Sequence, residues 1–206
     1  MILGIKKLHE LVDEIKLVEN LCEREMNNPE GAGFDLRMGE VYELEGPSAG
    51  SINSLRAGSP RPELGTKAGQ AGFLGVEERQ TPNIKLIGQF NPEKIDDDNF
   101  FVFEPGKYYL IKTIEKVNLP ITLSGIIFPR TTMFRSGLGL FNGIVQPGYS
   151  GELTFGVCNL GKSNIKVSFG ARVVHITFQE VLGEGNQYRG QWQGGRVATE
   201  GSEKQI

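Results

Sequence analysis

The sequence predicts a mainly β protein, a barrel or sandwich of the jelly-roll kind, with a short N-terminal helix. Three observations carry this. First, 28 Gly and 10 Pro against an apolar content of 38% favour a turn-rich β fold over a helical bundle. Second, from Phe100 to Phe178 apolar and alternating runs recur at short intervals, separated by Gly and Pro turns. Third, the clearest helical spacing lies near the N-terminus, in residues 5–15. A chain of 206 residues can bury a sizeable core as a single domain. Within it we read a helix or arm over 5–21, a long inserted loop region over 46–98 and a flexible tail over 183–206.

The N-terminal helix follows from Ile5, Leu8, Leu11, Val12 and Ile15, which share one helical face. Leu17 to Leu21 either extends it or begins a strand, and Asn27-Asn28-Pro29 ends whatever precedes it. Phe34-Asp35-Leu36-Arg37 and the alternating Glu40 to Leu44 predict a strand with a lone acid near its start. Residues 46–82 are rich in Gly, Ser, Pro and Ala without periodicity; Ile84 to Ile87 hints at a short strand beyond them. Short strands are then expected over Phe100–Phe103, Tyr108–Thr113, Leu123–Phe128, Glu152–Cys158, Ile165–Phe169 and Arg172–Phe178. The tail from Gly183 has Tyr188 and Trp192 as its large aromatics. With no core of its own, it is expected to order on a ligand or a neighbouring subunit.

Composition narrows the function. A net charge of −3 and a pI near 5.6 argue against a general nucleic-acid binder. Cys22 and Cys158 form neither a disulfide framework nor a metal set, and read as reduced thiols. His175, between Val174 and Ile176, reads as a structural histidine, and Asp96-Asp97-Asp98 as a solvated turn and not a metal site. No signal peptide and no apolar run of membrane length is present, so a cytoplasmic protein without a membrane partner is expected.

The most informative stretch is 128–156, FPRTTMFRSGLGLFNGIVQPGYSGELTFG. Arg130, Thr131, Thr132 and Arg135 fall within six residues, followed by a glycine-punctuated run and the Gln146-Pro147-Gly148 turn. Guanidinium forks, hydroxyls and glycine amides are the groups that hold phosphate oxygens. No Asp or Glu occurs between Arg130 and Glu152. The stretch reads as an anion site with few acids of its own.

These residues, in order, resemble the dCTP deaminase family. Glu104-Pro105-Gly106, Leu119-Pro120, Arg130-Thr131-Thr132-Met133-Phe134-Arg135 and Pro147-Gly148-Tyr149-Ser150-Gly151 are similar to its ordered motifs. Gly31 to Leu36 and Gly170 to Phe178 resemble segments of the related dUTPases, and Tyr188 to Gly194 resembles the deaminases' closing tail. The resemblance implies a distorted β-barrel or jelly roll of the dUTPase-like type, a homotrimer with sites between subunits, and a pyrimidine deoxynucleoside triphosphate as ligand. It implies phosphate-binding roles for Arg130, Thr131 and Thr132, and a place near the base and reacting water for Arg135. Asn142 to Gln146 would wall the base and sugar. Gln191 or Gln193 would close over the triphosphate, and Tyr188 and Trp192 either cover the nucleotide or a subunit groove as a lid or pack the tail on its own barrel. No cofactor is required for deamination, and Mg²⁺ would arrive with the triphosphate.

The chain departs from the family at two positions. Gln146 stands where relatives carry an Asp, and Gly156 where the deaminases carry a Glu. Such a Glu moves protons between water, ring and leaving ammonia; glycine cannot, and glutamine has no useful basicity. Glu152 shares the strand face of Gly156 but lies roughly 13 Å away along it, too far to substitute. Two readings stand: an enzyme that deaminates dCTP or hydrolyses dUTP in deoxynucleotide metabolism, or a catalytically impaired relative acting as a nucleotide-binding regulator or structural trimer.

Overall fold

The computed structural model describes residues 1–45, 79–80, 83–94, 99–183, 185–198 and 202–203. Most of the 46–98 region, including Asp96-Asp97-Asp98, lies outside the described residues. In chain order the elements are α1 (Ile5–Ile15), β1 (Val18–Glu19), α2 (Glu23–Asn27), β2 (Phe34–Glu45), β3 (Arg79–Gln80), β4 (Asn83–Gln89), β5 (Phe100–Phe103), β6 (Tyr108–Asn118) and β7 (Leu123–Pro129). They continue with α3 (Thr131–Arg135), β8 (Leu138–Phe141), β9 (Ser150–Asn159), β10 (Ile165–Ser168), β11 (Arg172–Glu180) and β12 (Ser202–Glu203).

The main sheet runs β7-β11-β2-β6-β9-β8, with β4 paired to β2 and β1 to β6. A pair of 2.9 Å backbone hydrogen bonds between Gly125 and Val145 ties β7 to the chain just after β8, which nearly closes the sheet into a barrel. The alternation legible in the sequence sets which face is inside. On β6, Tyr109, Ile111, Thr113, Glu115 and Val117 point inward while their neighbours are half-buried or exposed. Phe34, Leu36, Ile111, Phe103, Ile176 and Phe178 are fully buried and form the core. Each such side chain contributes about 1.5–3 kcal/mol by leaving water.

β2, β6 and β9 have 12, 11 and 10 residues, longer than the short strands expected. The reason for β6 is a buried polar device that the pattern does not announce. Glu115, fully buried, accepts the Arg37 backbone N–H at 2.7 Å and pairs with its guanidinium at 2.5 Å. The Thr113 hydroxyl donates to the Glu115 carbonyl and accepts the Leu153 N–H, so a register shift is absorbed without ending the strand.

At the N-terminus α1 stops at Ile15 because Lys16 takes a left-handed conformation, φ 54°. Val18–Glu19 then pairs with β6, settling the open question of 17–21 in favour of a strand. Ile84–Ile87 is indeed part of a strand, β4, which extends the sheet beside β2. Among the described residues no helix is long and apolar enough to cross a membrane, and Cys22 and Cys158 are free thiols.

Candidate functional site

The predicted site residues fall into two groups that one chain does not bring together. The first lines a cleft of about 630 Å³ on the outer face of β6, β8 and β9, within the size range of small-molecule sites. Register builds its floor: Gly156 of β9 lies between Leu110 of β6 and Phe141 of β8. Tyr108, one residue pair further along β6, leans across the bare glycine toward Phe141, the ring centroids 5.9 Å apart. A Cβ placed on Gly156 would lie 2.0 Å from the Tyr108 hydroxyl and 2.5 Å from its Cζ. Only glycine leaves room for that ring.

Asn142 enters the cleft where the chain leaves β8, and its amide donates to the Ile127 carbonyl at 3.1 Å. Gln146 follows as the first residue of a tight turn. The Tyr149 N–H donates to its carbonyl at 3.1 Å, Pro147 fills the second position, and Gly148 has φ +77° in the third, a conformation that favours glycine. Gln146 itself is exposed and lines the cleft. Tyr149, beneath it, donates to the Glu152 carbonyl at 2.6 Å; burial, with Tyr188 and Glu152 nearby, pushes its phenol up to about 12.

Of the alternatives open for the tail, ordering on a ligand or neighbour or packing on its own barrel, the chain shows the tail docked on its own barrel. The Tyr188 N–H donates to the Pro147 carbonyl at 2.8 Å and the Gly194 N–H to the Ser150 carbonyl at 2.7 Å. Gln187 and Gln193 both donate side-chain N–H to the Gly148 carbonyl, at 2.7 and 3.2 Å. Unpaired backbone groups of the 146–150 turn give the polar tail the partners that a core would otherwise supply. Tyr188 and Trp192 thereby reach the cleft wall, while Gln193 is committed to the turn and Gln191 lies half-buried outside the lining.

The second group sits on α3, away from the cleft. Met133 anchors this five-residue helix inward, leaving Thr131, Thr132, Phe134 and Arg135 exposed. Arg130, expected on phosphate, is turned inward to an ion pair with Asp35. Asp35, the lone acid near the start of β2, is a buried hub, 4% exposed. The Arg172 guanidinium and the His175 Nδ1 each lie 2.9 Å from its carboxylate, and Arg24 lies at 3.8 Å. Its N–H donates to buried Glu25 at 3.0 Å. Burial pushes the Glu25 carboxyl up, opposed by the charges of Arg24, His175 and Arg130. His175 is thus structural, facing Asp35 across the β2–β11 register.

Among the described residues the cleft lining includes no Asp, Glu or His. Glu152 faces a separate depression with Glu40 and Lys112, so it does not bring a carboxylate to Gly156. No group of three or more His, Cys, Asp or Glu among the described residues could hold a metal. Tyr108, Phe141 and Thr154 are cleft residues that sequence reading did not assign to the base pocket. Cross-strand register, which places the three together, leaves no trace in spacing.

A sequence model described as dCTP deaminase-like matches residues 2–181. A curated dCTP deaminase of Thermococcus kodakarensis is 31% identical over 103 residues, covering 50% of this chain and 66% of the relative. A probable deoxyuridine 5'-triphosphate nucleotidohydrolase of Methanothermobacter thermautotrophicus is 25% identical over 162 residues, covering 79% of this chain and 85% of the relative. The chain spans 66% and 50% of the length of the Thermococcus deaminase and of a dUMP-forming dCTP deaminase of Methanosphaera stadtmanae. The solved 2'-deoxycytidine 5'-triphosphate deaminase from Agrobacterium tumefaciens superposes with a TM-score of 0.54 at 16% identity, over 86% of this chain and 46% of that one. At that identity the likeness shows the barrel fold.

Proposed function

The chain belongs to the dCTP deaminase-like family, and on that premise we propose that it binds a pyrimidine deoxynucleoside triphosphate and acts in deoxynucleotide metabolism. The observation that carries this is the cleft on β6, β8 and β9, where the segment from Asn142 to Gln146 and the tail aromatics Tyr188 and Trp192 converge. The base and sugar occupy this cleft. Arg135, Thr131 and Thr132 stand exposed on α3 outside it, which fits a homotrimer in which α3 of one subunit supplies phosphate contacts to a neighbour's cleft. Exposed Phe128, Phe134, Phe141 and Ile144 are the apolar surface such an assembly would cover. Arg130 supports α3 from behind, through Asp35. Mg²⁺ would come to the site with the triphosphate.

The catalytic reading, deamination of dCTP or hydrolysis of dUTP, follows from the relatives. A second reading, binding without turnover, is favoured by one observation: the described cleft lining offers no carboxylate at Gln146, at Gly156 or elsewhere. General acid–base groups contribute roughly 10²–10⁴-fold in rate, so family-type turnover should be weak at best. The test is incubation of the pure protein with dCTP and dUTP, with and without Mg²⁺, following uracil nucleotide and pyrophosphate. Turnover at rates usual for enzymes removes the second reading. Binding by calorimetry without turnover supports it. Absence of both removes the nucleotide assignment. Light scattering at micromolar concentration should report a trimer.

A further inference from the structure

The floor of the cleft carries two hydroxyl groups, those of Thr154 and Tyr108. Thr154 and Gly156 are alternate residues on the outward face of β9, opposite Lys112 and Leu110 of β6. The Thr154 hydroxyl is buried in the cleft wall and makes no hydrogen bond; among the described residues it is the one buried side-chain polar atom so placed. Buried hydroxyls are nearly always paired, and an unpaired one is unfavourable unless a partner arrives. On the other side of Gly156, the Tyr108 hydroxyl occupies the point into which a side chain at 156 would project. Any ligand group that would meet a side chain at that position meets Tyr108 instead. Gly156 is therefore a patch of bare backbone bounded by the Thr154 hydroxyl, the Tyr108 hydroxyl and the ring of Phe141.

The chemistry of that boundary decides what it can read. A carboxylate accepts hydrogen bonds only, and so selects a donor such as an exocyclic amine. A hydroxyl both donates and accepts, rotating to suit its partner. Cytosine presents an amino donor where uracil presents a carbonyl acceptor, the same contrast that separates C from T in DNA. We propose that Thr154 and Tyr108 are the specificity-determining residues of the cleft and make it base-tolerant, taking cytosine and uracil deoxynucleotides alike. This rests on the nucleotide reading above and adds to it the selectivity of the site.

The experiment is calorimetric titration of the full chain with dCTP and with dUTP, for wild type, Thr154→Val and Tyr108→Phe, with thermal unfolding of each protein alongside. Both substitutions keep shape and remove one hydroxyl. Wild type should bind the two nucleotides within about threefold of each other, and each variant should bind both about threefold to tenfold more weakly, the loss of one net hydrogen bond. A wild-type preference above about tenfold for either base overturns base tolerance. A Thr154→Val protein that binds both nucleotides as wild type does and melts higher overturns the role of Thr154, since it shows a merely unsatisfied hydroxyl. Wild-type affinity in Tyr108→Phe overturns the role of Tyr108, leaving its ring as simple cover for Gly156. Wild type that binds neither nucleotide rejects the nucleotide reading itself, and this inference with it.

Discussion

Replacing Gly156 with alanine should push Tyr108 off the sheet, and the size of the effect follows from the distances. An ideal Cβ at 156 would lie 2.0 Å from the Tyr108 hydroxyl, 2.5 Å from Cζ and 2.7 Å from Cε2, so the whole ring must move. Overpacking of this kind typically destabilises by about 1–3 kcal/mol. Tyr108 is 42% exposed and can swing outward, which places the strain near the low end, about 1 kcal/mol, and sacrifices the contact with Phe141, about 0.5–1 kcal/mol more. Against this, alanine in a strand is favoured over glycine by roughly 0.5–1 kcal/mol. The net loss should be about 1 kcal/mol in the wild-type background. In a Tyr108→Ala background the obstructing ring is gone, and the same substitution should stabilise by about 0.5 kcal/mol. The assay is urea unfolding of all four proteins at one fixed chain concentration, read as midpoints at constant slope. A coupling of about 1.5 kcal/mol is expected. Equal effects of Gly156→Ala in both backgrounds, within about 0.5 kcal/mol, would refute the idea that residue 156 is glycine because Tyr108 covers it.

Two further perturbations test the buried charges. Asp35→Asn removes the carboxylate that faces Arg130, Arg172 and His175. Breaking a buried pair from one side costs about 3–5 kcal/mol, and Glu25 remains to hold Arg24 and Arg172. The low end is expected, about 3 kcal/mol, or a fall of roughly 6–12 °C in Tm for a chain of this size; a fall under about 3 °C would contradict the hub. For Glu115, burial is the largest influence and raises its pKa above the ordinary 4.5, against the pull of Arg37. A carboxyl raised in the folded state stabilises fully below its unfolded pKa, and that contribution is lost as pH rises through the folded value. Wild-type stability relative to Glu115→Gln should therefore decline from about pH 4 toward neutrality. A difference that is flat or rising over that range would contradict the sign.

Much of the barrel was legible because its strands obey a period of two, which the separate runs between Phe100 and Phe178 display. What alternation could not show is where a strand tolerates a buried charge. Glu115 looks like an outward residue in sequence, yet Arg37, far away in the chain, draws it inside. The cleft was half legible. Asn142, Gln146, Gly156 and Tyr188 all line it, because motif order carries their positions. The Arg130 ion pair was not legible for a physical reason: a guanidinium near hydroxyls reads as a phosphate arm, and the Asp35 that it pairs with is almost a hundred positions earlier. Tyr108 and Thr154 were missed because their meaning lies in which strand pairs with β9 and in what register. The tail shows no core of its own in sequence, and the partners it finds, carbonyls and a backbone N–H of the 147–150 turn, are not visible there.

The central claim is a nucleotide site whose cleft and whose phosphate-holding helix come from different copies of the chain. Two variants isolate the halves: Asn142→Ala damages the cleft, and Arg135→Ala damages α3. Each alone should lose most dCTP and dUTP binding in calorimetry. Co-expressed in equal amounts, random trimers should recover about a quarter of the wild-type sites, since one interface in four then pairs an intact cleft with an intact α3. Recovery near that level is the result predicted here. Mixed trimers that bind no better than either variant alone would contradict it, because a site contained within one chain cannot be rebuilt by mixing.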